Sequence, residues 1–191
     1  MLFDRVPDNL DDCILASQSS QAEALKFFIE YWRQRKWRTT GILWWNLRDG
    51  WPIISDAVVD DYYRKKLAYV YIKRVQTDVC AMRSEPEAGA HSLIVVNDTR
   101  WLASGKVQVT DADSGKRLLY AQFSVEPNSK AIVGAIPHTH NPAMWLIRWS
   151  DSKGCRFLNH YMAGERPFKL EQYSQWLRYL EIPSDIGSAN L

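Results

Sequence analysis

The sequence predicts an α+β protein in two parts: a helix–strand–helix unit over residues 1–76, then an antiparallel β-sandwich with a C-terminal helix over residues 77–191. In the first part, apolar residues recur at helical spacing on either side of one short apolar run. In the second part, short segments that alternate between apolar and polar residues are separated by turn residues. With 191 residues, of which 46% are hydrophobic, the chain can bury a core of its own.

The first predicted helix covers residues 18–36. Ser20 and Glu23 have the spacing of a capping box, in which two side chains satisfy free backbone N–H groups at the start of a helix. The apolar residues that follow share one helical face, which we expect to be buried: Ala24, Phe27, Phe28, Tyr31 and Trp32. The basic residues at its end suit the helix dipole, and no nucleic-acid-binding motif accompanies them, so we do not expect nucleic acid as a partner.

Residues 41–47 are a run of large apolar residues, which predicts a strand buried on both faces. A second helix is predicted over residues 62–75, with Asp60 or Asp61 as its cap. Its apolar stripe consists of Tyr63, Leu67, Val70, Tyr71 and Val75. A parallel strand needs partner strands and this part supplies none, so residues 1–76 have the pattern of one peripheral piece of a larger parallel α/β assembly.

Seven short segments after Gln76 predict the strands of the sandwich, with turn residues such as those at 97–98 and 141–142 between them. About seven strands at this spacing are typical of an immunoglobulin-like fold. The predicted strands are 79–82, 92–96, 106–110, 118–125, 131–136, 144–149 and 156–161. After Pro167, apolar residues at helical spacing predict a final helix: Leu170, Tyr173, Trp176, Leu177 and Leu180.

Composition excludes several classes of function. A formal net charge of +2 argues against a general binder of polyanions. No apolar run approaches the roughly 18 residues of a membrane span, so we expect no membrane partner. The three cysteines lack CxxC spacing, and His138 and His140 have no third ligand nearby in sequence. Neither a disulfide framework, a metal site nor a cofactor is therefore predicted.

Three tryptophans lie close together at the end of the apolar run: Trp44, Trp45 and Trp51, beside Asn46 and Asp49. Sugars present apolar C–H faces that stack on aromatic rings, and hydroxyls that need paired donors and acceptors. This combination predicts a saccharide-binding platform. The alternative is that the tryptophans are core residues, which is the commoner role for any single tryptophan.

Hydrolysis of a glycosidic bond requires two carboxyl groups that flank the bond. The glutamates of this chain fall in predicted helices, turns and loops, and none stands at the end of the buried strand. Only Asp49 does, and one carboxylate cannot be both the acid and the nucleophile. We therefore expect no complete set of catalytic residues in this chain.

Several stretches resemble the end of the catalytic barrel in glycoside hydrolase family 2, and most of all its β-mannosidase-like branch. The eighth barrel strand of that branch carries the signature Trp-x-Leu-x-Asp-x-Trp-Pro, which here is Trp45 to Pro52. Residues 14–24 resemble the family's seventh barrel helix. The sequence after strand eight is matched by residues 55–60 and 65–74, and the C-terminal sandwich by residues 159–168 and 176–177. The resemblance implies that residues 1–76 are the incomplete C-terminal end of a (β/α)₈ barrel.

The family consists of retaining β-glycosidases, and the resemblance implies that their acid/base and nucleophile glutamates, from barrel strands four and seven, would precede Met1. Trp45 matches the tryptophan that forms the floor of the subsite for the sugar being cleaved. Asn46, Asp49 and Trp51 match signature positions near the rim of that subsite and are the further candidate substrate-binding residues. Arg48 stands where the branch commonly has asparagine, so mannose, galactose and glucuronate all stay open as the preferred sugar.

We therefore expect a C-terminal fragment of a retaining β-glycosidase of the β-mannosidase or β-galactosidase type, which acts on saccharides and is inactive by itself. The alternative is a non-catalytic carbohydrate-binding or interaction module, in which Trp145 rather than Trp45 binds the sugar. A purely structural domain would bind none. Because an incomplete barrel leaves an open apolar strand, we also expect self-association through that surface.

Overall fold

In the computed structural model, which describes residues 1–39, 41–183 and 186, three helices pack on one side of a two-sheet β-sandwich. The helices are α1 (Leu10–Arg33), α2 (Leu67–Val75) and α3 (Leu170–Leu177), and a 3-10 turn follows over Arg178–Leu180. The strands are β1 (Val79–Arg83), β2 (Ala90–Asn97), β3 (Ala103–Asp111), β4 (Arg117–Val125), β5 (Ser129–Pro137), β6 (Ala143–Asp151) and β7 (Arg156–Ala163). The predicted α+β fold class is confirmed. Within the described ranges, no helix is long and apolar enough to cross a membrane.

The sandwich combines a three-stranded sheet in the order β1-β2-β5 with a four-stranded sheet in the order β4-β3-β6-β7, and all neighbouring strands are antiparallel. Alternate side chains of β6, namely Trp145, Ile147 and Trp149, point between the sheets and join the core. This is the immunoglobulin-like arrangement that the strand spacing predicts. Trp145 is only 3% exposed. The alternative in which Trp145 is the sugar contact of a binding module is therefore wrong, because a buried core residue cannot reach a ligand.

Strand β6 buries its other face against the helices. Met144 and Leu146 lie in a second hydrophobic core together with residues of all three helices, among them Tyr71 and Trp176. The four-stranded sheet is thus buried on both sides at this end, so the helices and the sandwich share a strand. The predicted boundary between the two parts of the chain falls in the connection from α2 to β1, and the division into two domains stays a prediction.

Helix α1 begins well before residue 18 because Asn9 caps it. The Asn9 Oδ1 accepts a hydrogen bond from the Asp12 backbone N–H at 2.9 Å, which satisfies one of the free donors of the first turn. The predicted capping box is wrong, since Ser20 and Glu23 lie in the middle of the helix. Their spacing fits a helix start, but a cap works only where the chain enters the helix.

Helix α1 also buries a different face from the predicted one. Phe27 and Phe28 are exposed. The buried face consists of Ser19, Ala22, Lys26, Ile29 and Glu30, of which Lys26 and Glu30 are charged. The prediction is wrong because it sorts residues by hydropathy, whereas Lys26 and Glu30 are buried as an ion pair with 2.8 Å between Nζ and Oε2.

Helix α2 begins at Leu67 rather than at residue 62. The carboxylate of Asp60 does not cap it but accepts hydrogen bonds from the Arg64 backbone N–H at 2.9 Å and from Arg64 Nε at 2.6 Å. These bonds close a turn ahead of the helix. Tyr63 lies in that turn and is exposed, so it is not part of the apolar stripe. The other four residues of the predicted stripe are buried: Leu67, Val70, Tyr71 and Val75.

Residues 41–47 do not form the predicted strand. Leu43 is 96% exposed and Leu47 is also exposed, so the expectation that both faces are buried is wrong. A parallel strand needs neighbouring strands to satisfy its backbone groups. The described part of the chain places only the short stretch around Val58 and Val59 beside it. Residues 41–47 thus have the composition of a buried strand, but the described part of the chain does not supply the neighbouring strands that would bury them.

A buried polar network joins α1 to β7 and α3. Glu30 accepts a hydrogen bond from Asn159 Nδ2 at 2.6 Å, in addition to its ion pair. Glu23 accepts hydrogen bonds from His160 Nε2 at 2.8 Å and from the Tyr173 hydroxyl at 2.9 Å. Each buried carboxylate thus has a partner on another element. Because such bonds are directional, the network fixes the position of α1 on the sheet.

We predict that the free energy of unfolding falls as the pH decreases below about 6.5, because burial lowers the pKa of His160 against the opposing effect of Glu23. In this pH range the unfolded chain binds a proton on the imidazole of residue 160, whereas the folded chain does not. The free energy of unfolding therefore falls by up to about 1.4 kcal/mol for each unit by which the pH decreases. Denaturant titrations across this range measure the effect. His160→Gln keeps a donor for Glu23 and should reduce the pH dependence to the part that His91 contributes, whose pKa burial also lowers, whereas His140→Gln, at an exposed position, should leave it unchanged. An unchanged pH dependence in His160→Gln would contradict the assignment.

Candidate functional site

The tryptophan segment, residues 41–52, is attached to the stretch that precedes α2. The Val58 N–H donates to Asn46 O at 3.2 Å, and the Asp49 N–H donates to Val59 O at 3.1 Å. These bonds form a short parallel pairing. Because Val58 belongs to the helical core, the pairing fixes the end of the segment that carries the signature.

Asp49 connects the tryptophan segment to α2. Its side chain is buried, with the residue 5% exposed. One carboxylate oxygen accepts a hydrogen bond from the Ser55 hydroxyl, and the other lies 3.3 Å from Lys66 Nζ. Lys66 is the residue immediately before α2, and its Nζ also donates to Ser55 O at 3.3 Å. Both carboxylate oxygens therefore have internal partners that close the loop, and a direct contact between Asp49 and a sugar stays a prediction.

The three tryptophans of the segment have different environments. Trp44 is partly buried and packs against the helical core, which is a structural role. Trp45 and Trp51 are 77% and 66% exposed. Two open indoles on one segment offer the kind of apolar surface on which a sugar C–H face stacks. Their role as saccharide contacts stays a prediction.

Asn46 and Arg48 differ in exposure: Asn46 is partly buried, whereas Arg48 is exposed. The Asn46 Oδ1 is buried with no hydrogen-bond partner among the described residues, and the Trp45–Asn46 peptide bond is cis. The guanidinium carbon of Arg48 lies 3.9 Å from the centre of the Tyr63 ring, a cation–π contact. Arg48, which stands where the branch commonly has asparagine, thus contacts a tyrosine that the sequence pattern assigns to the stripe of α2.

Sequence reasoning did not identify Ser55 or Lys66 as part of this site. Serine and lysine are common surface residues, and neither belongs to the signature of strand eight. The only available signal was that both fall in stretches that resemble the family, residues 55–60 and 65–74. Their function in the fold follows only from where the loop places them around Asp49.

Three carboxylates of the N-terminal part, those of Glu23, Glu30 and Asp49, are held by internal partners. Glu23 and Glu30 belong to the buried network, and Asp49 is held by the serine and lysine that surround it. A retaining glycosidase needs two carboxyl groups about 5–5.5 Å apart, one of which attacks the sugar. None of these three is free for that role. Over the described ranges, no group of three His, Cys, Asp or Glu residues could hold a metal ion.

Comparison with known proteins finds relatives of the chain, although no protein-family model matches it. The chain is 39% identical over 177 residues to β-mannosidase B of Aspergillus terreus, and 32% identical over 160 residues to that of Aspergillus niger. These alignments cover 78% and 71% of the chain.

The chain is a relative of the β-mannosidases. It spans about a fifth of the length of these relatives, 21% of the A. terreus protein and 19% of the A. niger protein. The β-D-mannosidase of Dictyoglomus thermophilum, a solved structure, is 27% identical and has a TM-score of 0.73 over 88% of this chain and 21% of its own. The exo-chitosanase of Amycolatopsis orientalis is 21% identical, with a TM-score of 0.68 over 81% of this chain and 20% of its own, and shares the fold. The predicted resemblance to a β-mannosidase-like glycoside hydrolase is confirmed.

We predict that Asp49→Asn loosens the attachment of the tryptophan segment. The neutral amide loses its charge pairing with Lys66, so the amide protons of Val58 and Val59 should exchange with solvent about tenfold faster, which corresponds to about 1.4 kcal/mol of local stability. Hydrogen exchange followed by NMR measures both amides. Asp56→Asn removes an exposed carboxylate from the same loop and should leave both rates unchanged. Equal rates in the two variants would contradict the role of Asp49.

Proposed function

We propose that this chain is the C-terminal portion of a retaining β-glycosidase of glycoside hydrolase family 2, and that the tryptophan segment lines the subsite for the sugar being cleaved. The similarity to β-mannosidases supports the class of enzyme. The exposed indoles of Trp45 and Trp51 on one internally braced segment carry the proposal. A braced segment that presents two aromatic rings suits a saccharide, because sugar rings offer apolar faces of matching size.

Exposed apolar side chains within residues 1–76 support the proposal that this part is the end of an incomplete barrel. Leu43 and Ile54 are almost completely exposed, and so are large parts of Phe27 and Phe28 on α1. Soluble proteins rarely expose contiguous apolar surface without an interaction partner. Neighbouring barrel strands and helices would cover both sets of side chains.

In the proposed enzyme, cleavage proceeds by double displacement through a covalent glycosyl-enzyme intermediate. The contribution of this chain is to bind and orient the sugar: Trp45 under the ring, Trp51 and Asn46 at the rim, and Asp49 as the residue that holds their loop. The acid/base and nucleophile carboxylates would come from other parts of the enzyme. The chain by itself is therefore inactive.

We predict that the purified 191-residue chain does not hydrolyse nitrophenyl β-mannoside or β-galactoside above the rate in buffer, since Asp49, the carboxylate of the tryptophan segment, is held by Ser55 and Lys66. It should nevertheless bind manno-oligosaccharides weakly. Calorimetry should show that Trp45→Ala abolishes this binding and that Trp101→Ala, at an exposed position between β2 and β3, preserves it. Enzymatic turnover would contradict the proposed inactivity, and equal binding by the two variants would contradict the proposed subsite.

We also propose that the isolated chain self-associates through the uncovered apolar surface of the tryptophan segment and the adjoining Ile54. Leu43→Lys combined with Ile54→Lys should shift the chain towards the monomer, because charged side chains oppose burial of that surface. Sedimentation velocity over a concentration series measures the shift. Ile132→Lys alters an exposed apolar residue of β5 and should leave association unchanged. A wild-type chain that stays monomeric at high concentration would contradict self-association.

A further inference from the structure

The outer face of the four-stranded sheet carries cations that neither the fold nor the proposed subsite uses. Lys106 of β3 pairs with Ser150 of β6, which in turn pairs with Arg156 of β7. Because neighbouring strands lie about 4.8 Å apart, Lys106 and Arg156 stand about 10 Å apart in one cross-strand row. Their side chains face outward, since the adjacent residues of β3 and β6, Val107 and Trp149, belong to the core between the sheets.

A second row runs beside the first at about 7 Å, the length of two residues along a strand. Gln108 of β3 pairs with Tyr120 of β4 on one side and with Arg148 of β6 on the other. Tyr120 is exposed. The two rows together form the floor of a groove of about 490 Å³ that also includes Glu181 at its rim.

The groove is strongly positive although the chain is nearly neutral. Three cations line it, and the only carboxylate among the described lining residues is that of Glu181. The Glu181 Oε1 lies 3.9 Å from the Arg148 guanidinium, so one of the three cations has a counter-charge nearby. Three positive charges against one negative charge leave +2, which equals the formal net charge of the whole chain.

We propose that this groove binds an anionic oligosaccharide, namely a chain of uronate sugars laid across the strands. The planar guanidinium groups of Arg148 and Arg156 match carboxylates in a bidentate manner. The amide of Gln108 and the hydroxyl of Ser150 provide donors and acceptors for sugar hydroxyls. The ring of Tyr120 offers a stacking surface at the edge of the groove. This binding site goes beyond the proposed subsite and does not depend on the tryptophan segment.

A uronate chain suits the groove better than a single-stranded nucleic acid does. Nucleic-acid grooves combine cations with a series of aromatic rings on which successive bases stack. Tyr120 is the only exposed aromatic residue among the described residues that line this groove. The groove instead alternates charge with amide and hydroxyl groups, which is the pattern that a carboxylated and hydroxylated ligand requires.

The test is calorimetric titration of the 191-residue chain at low salt with oligogalacturonate and with a neutral oligosaccharide of equal length. We expect oligogalacturonate to bind at least about tenfold more tightly than the neutral oligosaccharide. Arg148→Gln combined with Arg156→Gln should weaken that binding by about tenfold or more, since each charge-assisted hydrogen bond contributes substantially to affinity. Arg100→Gln combined with Lys169→Gln removes the same charge from exposed positions outside the groove, and should change affinity less than about twofold.

A second variant separates sugar recognition from charge alone. Tyr120→Ala should weaken oligogalacturonate binding several-fold and leave the binding of inorganic polyphosphate unchanged, because only the sugar can stack on the ring. The proposal is overturned if the wild-type chain does not bind oligogalacturonate, or if the groove and control double variants lose affinity equally. It is also overturned if polyphosphate or single-stranded DNA binds as tightly as oligogalacturonate.

Discussion

The first half of strand β6 is buried on both faces, and most of the structure depends on that arrangement. Trp145 and Ile147 fill the space between the sheets, whereas Met144 and Leu146 pack against the helices. Burying a large apolar side chain is favourable by about 1.5–3 kcal/mol, so the helices and the sandwich stabilise one another through this strand. The hydrogen bonds of the buried polar network are directional, so they fix the position of α1 on the sheet. The tryptophan segment depends on the same helices, because it is attached through the residues that lead into α2.

The sandwich could be predicted from the sequence because alternation with a period of two records which face of each strand is buried. The helices were predicted with errors that have a physical cause. Lys26 and Glu30 are buried on α1 because Asn159 of β7, 129 residues from Glu30 in sequence, supplies a partner that no local pattern shows. The strand expected over residues 41–47 is absent for a related reason. Its composition fits a neighbourhood of strands that the described chain does not supply.

The candidate site was predictable where it depends on residue type and unpredictable where it depends on loop geometry. The clustering of Trp45 and Trp51 beside a carboxylate, and their match to a family signature, identified the segment, but only the structure shows that both rings are open. Ser55 and Lys66 hold Asp49 across 6 and 17 residues of irregular chain, a spacing that no motif records. The positive groove likewise arises from strand register, which brings together side chains that are far apart in the sequence.

The central claim is that the tryptophan segment has the composition of a barrel strand and lacks the strands that would pair with it. Backbone hydrogen exchange at low protein concentration measures this most directly. The amides of residues 42–45 have no backbone partner in the described part of the chain, so we expect them to exchange at nearly the rate of an unstructured peptide, while the amides of β6 exchange far more slowly. Protection of residues 42–45 comparable to that of β6 in a monomeric chain would contradict the claim.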